Sequence, residues 1–296
     1  MIGFILFEAK ALLCITRTFG YRYPVRSGFS WSAADIYFSA ITPSATGGQP
    51  ACAYLMVNDG VPGVTSAVAL LANLTMYTLS IIVIGVVSVI LCPSAIGSFS
   101  HISRILVTVG FLIQLALLAF FILLLYHESL ARRIILGLIS AGAKIKIIRK
   151  KYRMIAKANR WMDDYRSHAL MLRGRTRMMV HVFLWNLAQR ASQILVTVFT
   201  FLAMNGKGLG LIDGIKAAIR VFSMQSLVVI GANMIPIPGA MGVTDFLMLD
   251  GFGSFMDEAA ATNLELLSRS LSFYICILIC GATVLARLVM SKRSKD

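Results

Sequence analysis

The sequence predicts an all-α polytopic membrane protein, an inverted repeat with two re-entrant helical hairpins and about five membrane-crossing helices. Hydrophobic residues make up 58% of the chain and charged residues only 14%. Several apolar runs are longer than the ~20 residues that cross the hydrocarbon core of a bilayer. Two proline- and glycine-rich stretches, ITPSATGG at 41–48 and NMIPIPGAMG at 233–242, interrupt this apolar chain.

The N-terminal stretch MIGFILFEAKALLCI precedes Arg17 and contains Glu8 and Lys10. As a helix it would be about 22 Å long, which is shorter than a full crossing. It lacks the basic start and the small-residue cleavage site of a signal peptide. We interpret it as the tail of a helix whose upstream part precedes this chain.

Four apolar segments are long enough to be full crossings, at 65–91, 105–126, 178–204 and 267–290. Between them lie two apolar but broken regions, at 30–62 and 209–257. The apolar pieces that flank each break are some 11–20 residues long, which suits half-crossing or re-entrant segments. We therefore expect both regions to enter the membrane and return to the same side.

A strongly basic loop runs from Arg132 to Arg177 and holds fourteen Lys and Arg against Asp163 and Asp164, or +12 of the chain's +15. The positive-inside rule places this loop and the C-terminus in the cytoplasm. With both broken regions re-entrant, every basic cluster falls on that side. Aromatic residues within the loop would also suit anionic headgroups or a tRNA. We interpret it as a loop lying on anionic lipid and expect no nucleic-acid partner.

The two breaks share a spacing, since Pro43 to Gly47 and Pro238 to Gly242 both read P-x-x-x-G. In the predicted topology they open from opposite faces, as in an inverted repeat. We divide a single transmembrane domain, 1–296, into a first repeat with its connecting helix (1–126), the basic cytoplasmic loop (127–177) and a second, inverted repeat (178–296).

Proline and glycine have a physical reason to stand at these places. Proline removes a backbone donor and stops a helix, and glycine permits a tight reversal. The freed backbone groups cannot face lipid, so they must line a protein-enclosed or watered cavity. Helix N-termini in such a cavity would suit a phosphate. A kinked helix with no ligand is the alternative, and two breaks in inverted positions favour the cavity.

ITPSATGGQP and NMIPIPGAMGVTDF resemble the flippase-like transmembrane domain of the lysylphosphatidylglycerol synthase/flippase family, the multiple peptide resistance factors of bacteria. The resemblance runs from about Ser30 to the C-terminus. It implies translocation of an aminoacylated or otherwise modified phospholipid between the leaflets of the bacterial cytoplasmic membrane, linked to resistance to cationic antimicrobial peptides.

The resemblance also implies lipid-binding residues, which match the two motifs by position: Pro43, Gly47, Gly48 and Gln49 in the first, and Pro236, Pro238, Gly239 and Gly242 in the second. Two positions depart from the family pattern. Ala240 stands where a second glycine is usual, and Asp245 stands where the family has glutamate. The shorter acid keeps the charge and changes its reach.

Five charged residues are candidates for the same site. Arg190 lies mid-membrane in the segment 178–204, where a charge must face the protein interior or a cavity. It would contact a phosphate or pair with an acid such as Asp245 or Asp35. Those two acids would bind an ammonium group or cap helices, and we interpret Asp35 as a cap. Lys216 and Arg220 would guide a headgroup or reach toward the membrane surface.

Two alternative functions stay open at this point. The family's bifunctional members carry a soluble synthase domain after the membrane part, and this sequence stops six residues after its last apolar segment. We therefore do not expect phosphatidylglycerol lysyltransferase activity from this chain alone. A small-solute secondary transporter would equally use an inverted repeat. We expect no metal or cofactor; the expected partners are phospholipid headgroups, a separate lipid synthase and further copies of the chain.

Overall fold

The computed structural model describes residues 1–127, 129–130, 132–134, 136–137, 140, 151–172, 174–205, 210–233 and 235–293. This part of the chain is helical and contains no strand. In chain order its helices are α1 (Ile2–Thr18), α2 (Val25–Ile41), α3 (Gly48–Asn58), α4 (Gly63–Leu91), α5 (Ser94–Gly97), α6 (His101–Tyr126), α7 (Lys151–Leu172), α8 (Thr176–Asn205), α9 (Leu211–Ala232), α10 (Val243–Phe252), α11 (Glu258–Arg269) and α12 (Ile275–Arg293).

Proline and capping side chains set several helix boundaries. α4 begins directly after Pro62 and ends before Pro93, as expected for a residue that cannot continue a helix. The Ser100 hydroxyl accepts a hydrogen bond from the Ser103 N–H at the start of α6. The Asp257 carboxylate accepts one from the Ala260 N–H at the start of α11. These side chains satisfy N–H groups that have no partner within the helix.

Five helical segments in the described part are long and apolar enough to cross a membrane: Gly63–Leu91, His101–Tyr126, Thr176–Asn205, Leu211–Ala232 and Glu258–Met290. Four of them contain the predicted crossings. The chain is thus a multi-pass helical membrane protein. The last segment comprises α11 and α12, joined by a π-helical stretch, Ser270–Tyr274.

α9 is longer than the half-crossing pieces that the sequence predicts for this region. It has 22 residues and a length of about 33 Å, enough to span the hydrocarbon core. Asp213 and Lys216 lie in its first half, and both side chains are exposed on the helix surface. The helix therefore continues through them.

Helices stop at both predicted breaks. α2 ends at Ile41 and α9 ends at Ala232, and each is followed by a short 3₁₀ turn that starts with proline, Pro43–Ala45 in the first and Pro238–Ala240 in the second. α3 and α10 begin after these turns. The two proline–glycine motifs are therefore true helix interruptions rather than kinks within continuous helices.

Each interruption joins two helices that fold back on one another. In the first hairpin, Gly48 at the start of α3 lies against Asp35 and Ser39 of α2, and Trp31 donates to Asp59 at the far end, at 2.8 Å.

In the second hairpin, Gly231 near the end of α9 faces Leu247 of α10, and Met224 faces Gly251. In both hairpins, residues farther from the turn on one helix contact residues farther from the turn on the other. The two helices of each hairpin are therefore antiparallel.

Buried apolar side chains form two clusters, one around each hairpin. The first contains Trp31 of α2 and Met56 of α3. The second contains Val228 of α9 and Phe252 of α10. α8 and the last span contribute to both clusters: Val182 and Cys280 belong to the first, and Val198 and Leu264 to the second. The long helices thus hold one hairpin near each of their two ends.

The segment predicted as a basic loop contains the 22-residue helix α7. The Tyr165 hydroxyl donates to the main-chain oxygen of Leu124 at 2.9 Å, and His168 lies 5.6 Å from the ring of Phe19. Met162, Ala169 and Leu172 are buried. α7 is therefore packed against the ends of the membrane helices. The predicted basic residues at 141–150 lie outside the described residues.

Candidate functional site

The two proline turns contact one another inside the protein. A cavity of about 590 Å³ lies where they meet and is lined by residues of both hairpins, of α1, α4, α6, α8 and of the last span. The charged residues that line it are Glu8, Asp35, Arg190 and Arg269. This cavity brings the two motifs, which are nearly two hundred residues apart in sequence, into one site.

The two turns share one strained backbone position that their spacing did not reveal. Ala45 and Ala240 each stand two residues after the proline, and both have a positive φ, of 54° and 48°. An L-residue in this region is strained by about 1 kcal/mol or more. The glycine that ends each motif differs, with a φ of −81° at Gly47 and 80° at Gly242, so the two turns resemble each other in part.

Glycine is required where the turns pack closely. A Cβ atom at Gly48 would lie 2.5 Å from the main-chain oxygen of Asp35 and would also collide with the Asp35 and Ser39 side chains. Gly239 has a φ of 62°, and a Cβ there would lie 2.5 Å from Cε2 of Phe273. These glycines let each turn approach a helix more closely than any other residue would.

Arg269 fixes the second turn to the last span. Its guanidinium forms an ion pair with Asp245 and donates to the main-chain oxygen of Gly239 at 3.2 Å. Asp245 also accepts a hydrogen bond from the Gly242 N–H at 2.9 Å, which caps α10. The capping role predicted as one alternative for Asp245 is therefore present, together with an ion pair.

Two buried acids face each other on the α1–α2 side of the cavity. Glu8 is 4% exposed and accepts hydrogen bonds from Ser32 and Gln189, both at 2.9 Å. Asp35 is 7% exposed and accepts from Gln49 at 2.8 Å. The two carboxyl groups are themselves close enough to hydrogen bond.

The interpretation of Asp35 as a helix cap is wrong. Asp35 lies in the interior of α2, which begins at Val25 and ends at Ile41. Its carboxyl group accepts hydrogen bonds from the Gln49 and Ser39 side chains instead of backbone N–H groups at a helix start. The residue therefore joins α2 to the first turn of α3.

Arg190 lies buried on the α8 wall of the cavity, with 6% of its surface exposed. Its Nη1 donates to Oε1 of Gln193 at 2.5 Å, and the guanidinium stacks over the ring of Tyr77 at 4.3 Å. Its Nε has no protein partner among the described residues. Asp245, one predicted partner of Arg190, is occupied by Arg269.

The residues predicted to bind lipid divide into two groups. Gln49, Arg190 and Gly239 line the cavity. The others form the turns and helix starts around it, namely Pro43, Gly47, Gly48, Pro236, Pro238, Gly242 and Asp245. Lys216 is exposed on α9, and Arg220 stacks over Phe255 at 4.2 Å. Neither of these two basic residues lines the cavity.

Glu8 and Arg269 were not predicted to belong to the site. Glu8 lies in α1 with Lys10, and Arg269 lies in the last span with Glu265 one turn before it. A charge within a largely apolar helix must face a partner or a cavity. That signal was applied to Arg190 but is equally present at these two positions. Within the described residues, no group of His, Cys, Asp and Glu could hold a metal ion.

A family model described as the lysylphosphatidylglycerol synthase TM region matches residues 1–280. The chain belongs to this family. The match covers both hairpins, the cavity and most of the last span, and it confirms the resemblance drawn from the two motifs. Membership associates the chain with lipid-related function in a membrane. Searches of curated proteins and of solved structures give no significant match.

Proposed function

We propose that the chain moves a phospholipid with an aminoacylated or otherwise modified headgroup between the leaflets of a membrane, and that the headgroup passes through the cavity. The observation that carries this proposal is the meeting of two helix interruptions around a cavity with a buried arginine. The family match supports a lipid substrate. The following contacts support a route through the bilayer.

The contacts of the second hairpin with α6 support a re-entrant segment. Near its turn, Gly231 packs against Val107, and Ile230 against Gly110, in the first half of the 26-residue helix α6. At its far end, Gly251 packs against Phe99, and Asp250 accepts a hydrogen bond from the Ser100 N–H, both just before α6. If α6 crosses the bilayer, the hairpin turn lies within the membrane and α10 returns to the side where α6 begins.

The contacts of the first hairpin with the last span favour an orientation opposite to that of the second hairpin. The turn of the first hairpin contacts the turn of the second hairpin. The second turn packs on Phe273, near the middle of the last span, Glu258–Met290. Tyr37 of α2 packs on Gly281, and Asp59 at the end of α3 pairs with Arg287. Moving along the last span from Phe273 to Arg287 thus leads from the turn to the base of the hairpin. This arrangement favours an inverted repeat whose hairpins enter from opposite faces.

The volume and walls of the cavity suit a lipid headgroup. Ligand pockets commonly measure about 300–1,000 Å³, so 590 Å³ accommodates a headgroup but not whole acyl chains. Ile36 and Ala40 of α2 and Leu117 and Phe121 of α6 give one side of the cavity an apolar lining. Acyl chains could remain against such a surface while the headgroup crosses.

The polar groups of the cavity are complementary to a zwitterionic headgroup. The Arg190 Nε is a buried donor with no protein partner among the described residues, and a guanidinium group suits a phosphate. The Gln189 and Gln225 Oε1 atoms are buried acceptors with no partner in the part of the chain that the structure describes, and amide oxygens suit ammonium or hydroxyl donors. The acids Glu8 and Asp35 add negative charge on the same wall as Gln189.

The basic segment gives the proposed orientation. We place α7 and the C-terminus on the cytoplasmic side of a bacterial membrane, where Lys- and Arg-rich segments lie on anionic lipid. Outward movement of a cationic lipid would lower the negative charge of the outer leaflet. Cationic antimicrobial peptides would then bind that leaflet less well.

Reconstituted vesicles test the proposal. Fluorescent phosphatidylglycerol and its lysyl ester would be placed in both leaflets, and a membrane-impermeant quencher would report the rate at which inner-leaflet lipid becomes accessible. We expect the purified chain to accelerate this exchange for at least one of the two lipids. Arg190→Gln should slow it by at least tenfold, whereas Lys216→Gln, which removes an exposed cation outside the cavity, should not.

Exchange no faster than in protein-free vesicles for both lipids would contradict the proposal. Equal rates for Arg190→Gln and the unaltered protein would remove the arginine from the route. Uptake of water-soluble glycerophosphate without lipid exchange would instead support a small-solute transporter.

A further inference from the structure

The charges on the cavity wall do not balance if both buried acids are ionised. Glu8 and Asp35 together would contribute two negative charges within hydrogen-bonding distance of each other. Arg269 is already paired with Asp245, so Arg190 is the cavity cation that remains to balance them among the described residues. Two neighbouring carboxylates with one such cation favour the retention of a single shared proton.

The groups that face this pair come from every helix packed around α1 and α2. α8 contributes Arg190, α3 contributes Cys52 and α12 contributes Cys280, and all three interact electrostatically with Glu8. Both cysteines are free thiols, and buried thiols are neutral. Tyr77 of α4 stacks on Arg190. Charge on this wall is therefore set by Glu8, Asp35 and Arg190.

Two side chains that line the cavity beside the acid pair each keep one buried polar atom with no partner among the described residues. Gln189 is 2% exposed, and it donates to Glu8 while its Oε1 has no partner. Arg190 donates to Gln193 while its Nε has no partner. Both residues line the cavity. A polar ligand that enters the cavity thus reaches groups directly connected to the acid pair.

We propose that Glu8 and Asp35 form a proton-binding site whose proton count changes when a charged headgroup occupies the cavity. This inference rests on the proposed lipid function and adds the coupling ion. The empty cavity holds one shared proton and is neutral with Arg190. Phosphatidylglycerol, with one negative charge, draws in a second proton. Its lysyl ester, with one net positive charge, expels the shared proton.

The proton step is a simple transfer between the carboxyl pair and water. When a cationic headgroup arrives, the carboxyl O–H bond breaks, the proton passes to a water molecule of the cavity, and both acids become carboxylates. When an anionic headgroup arrives, a hydronium ion gives its proton to the remaining carboxylate. A proton gradient across the membrane would therefore bias the direction in which each lipid moves.

Proton exchange on lipid binding tests the proposal. The purified chain in weakly buffered detergent would be mixed with phosphatidylglycerol or with lysylphosphatidylglycerol, and a pH-indicating dye would be followed. We expect uptake of one proton per protein with the first lipid and release of one with the second. Asp164→Asn removes an exposed carboxylate of α7, away from the cavity, and should leave both signals unchanged.

Carboxyl variants give a pattern that misfolding would not reproduce. Glu8→Gln leaves Asp35 as one carboxylate balanced by Arg190, so it should keep proton uptake and lose proton release. The double variant Glu8→Gln with Asp35→Asn should lose both. No proton exchange with either lipid in the unaltered protein would overturn the proposal, and so would full exchange in the double variant.

The proton-exchange experiment and the leaflet-exchange experiment can fail independently. Proton exchange without leaflet exchange would keep the proton site and contradict the proposed function. Leaflet exchange without proton exchange would keep the proposed function and contradict the proton site.

Discussion

Arg269 of the last span forms an ion pair with Asp245 at the start of α10, and it also donates to Gly239 in the turn before that helix. One cation thus connects a membrane-spanning helix to both sides of a helix interruption. The arginine side chain is 9% exposed and the aspartate 35%. Because the arginine is the more deeply buried partner, loss of the aspartate removes its ion-pair partner and leaves Glu265 as the acid that interacts with it electrostatically.

We expect Asp245→Asn to destabilise the protein by about 1–3 kcal/mol, because Arg269 loses its ion-pair partner. Asparagine can still accept the hydrogen bond from Gly242, so the cap is retained. Thermal unfolding in detergent would measure the effect. Asp163→Asn breaks a more exposed ion pair with Arg132 and should change stability by at most about 1 kcal/mol.

A double variant separates the ion pair from other effects. Arg269→Met combined with Asp245→Asn should destabilise less than the sum of the two single changes, since the double variant removes both charges of the ion pair. Additive effects would mean that the two side chains do not depend on each other.

Gly48→Ala should disturb the first hairpin. The new methyl group would lie 2.5 Å from the main-chain oxygen of Asp35, and overpacking of this kind costs about 1–3 kcal/mol. The melting temperature and the fraction of monodisperse protein should both fall. Gly97→Ala is the control because a Cβ there meets nothing within 4 Å. If the two variants behaved alike, α3 would not pack against α2 as described.

The ionisation of Tyr165 reports the packing of α7. Burial raises the pKa of Tyr165 from 10.0 to about 12, and the protonated hydroxyl donates to Leu124. Because the pKa in the folded protein exceeds the unfolded value, this stabilisation is complete below pH 10 and is lost as the pH rises through about 12. The difference between the tyrosinate titrations of the unaltered protein and Tyr165→Phe should show one tyrosine that ionises near pH 12.

Tyr165→Phe should also loosen α7. Loss of one hydrogen bond is worth about 1 kcal/mol, or roughly a fivefold increase in the local opening that exposes α7 to trypsin. Tyr54→Phe changes an exposed tyrosine of α3 and should not alter the cleavage rate. Unchanged cleavage in Tyr165→Phe would show that this contact does not hold α7 in place.

The membrane class and the helix interruptions could be predicted because they depend on local rules. Long apolar runs must be helices in lipid, and Pro43 and Pro238 cannot continue a helix. Family membership followed from the same two motifs. The length of α9 could not be predicted in this way, because the apolar pattern predicts pieces of some 11–20 residues beside each break, whereas α9 has 22 residues.

The composition of the cavity depends on distant contacts that no sequence spacing encodes. Glu8 reaches Gln189 across 181 positions, and Asp245 finds Arg269 rather than Arg190. Which acid pairs with which cation is decided by how the hairpins pack between the long helices. The positive φ of Ala45 and Ala240 is likewise a result of that packing, since alanine alone does not favour a left-handed turn.

The depth of the two turns in the bilayer tests the central claim most directly. Nitroxide labels would be attached at Ala45→Cys and at Ala240→Cys in a cysteine-free background, and their collisions with oxygen and with a water-soluble nickel complex would be measured in lipid vesicles. We predict that both labels lie near the bilayer centre and close to each other. Two labels at the depth of the headgroups, or in bulk water, would contradict the account.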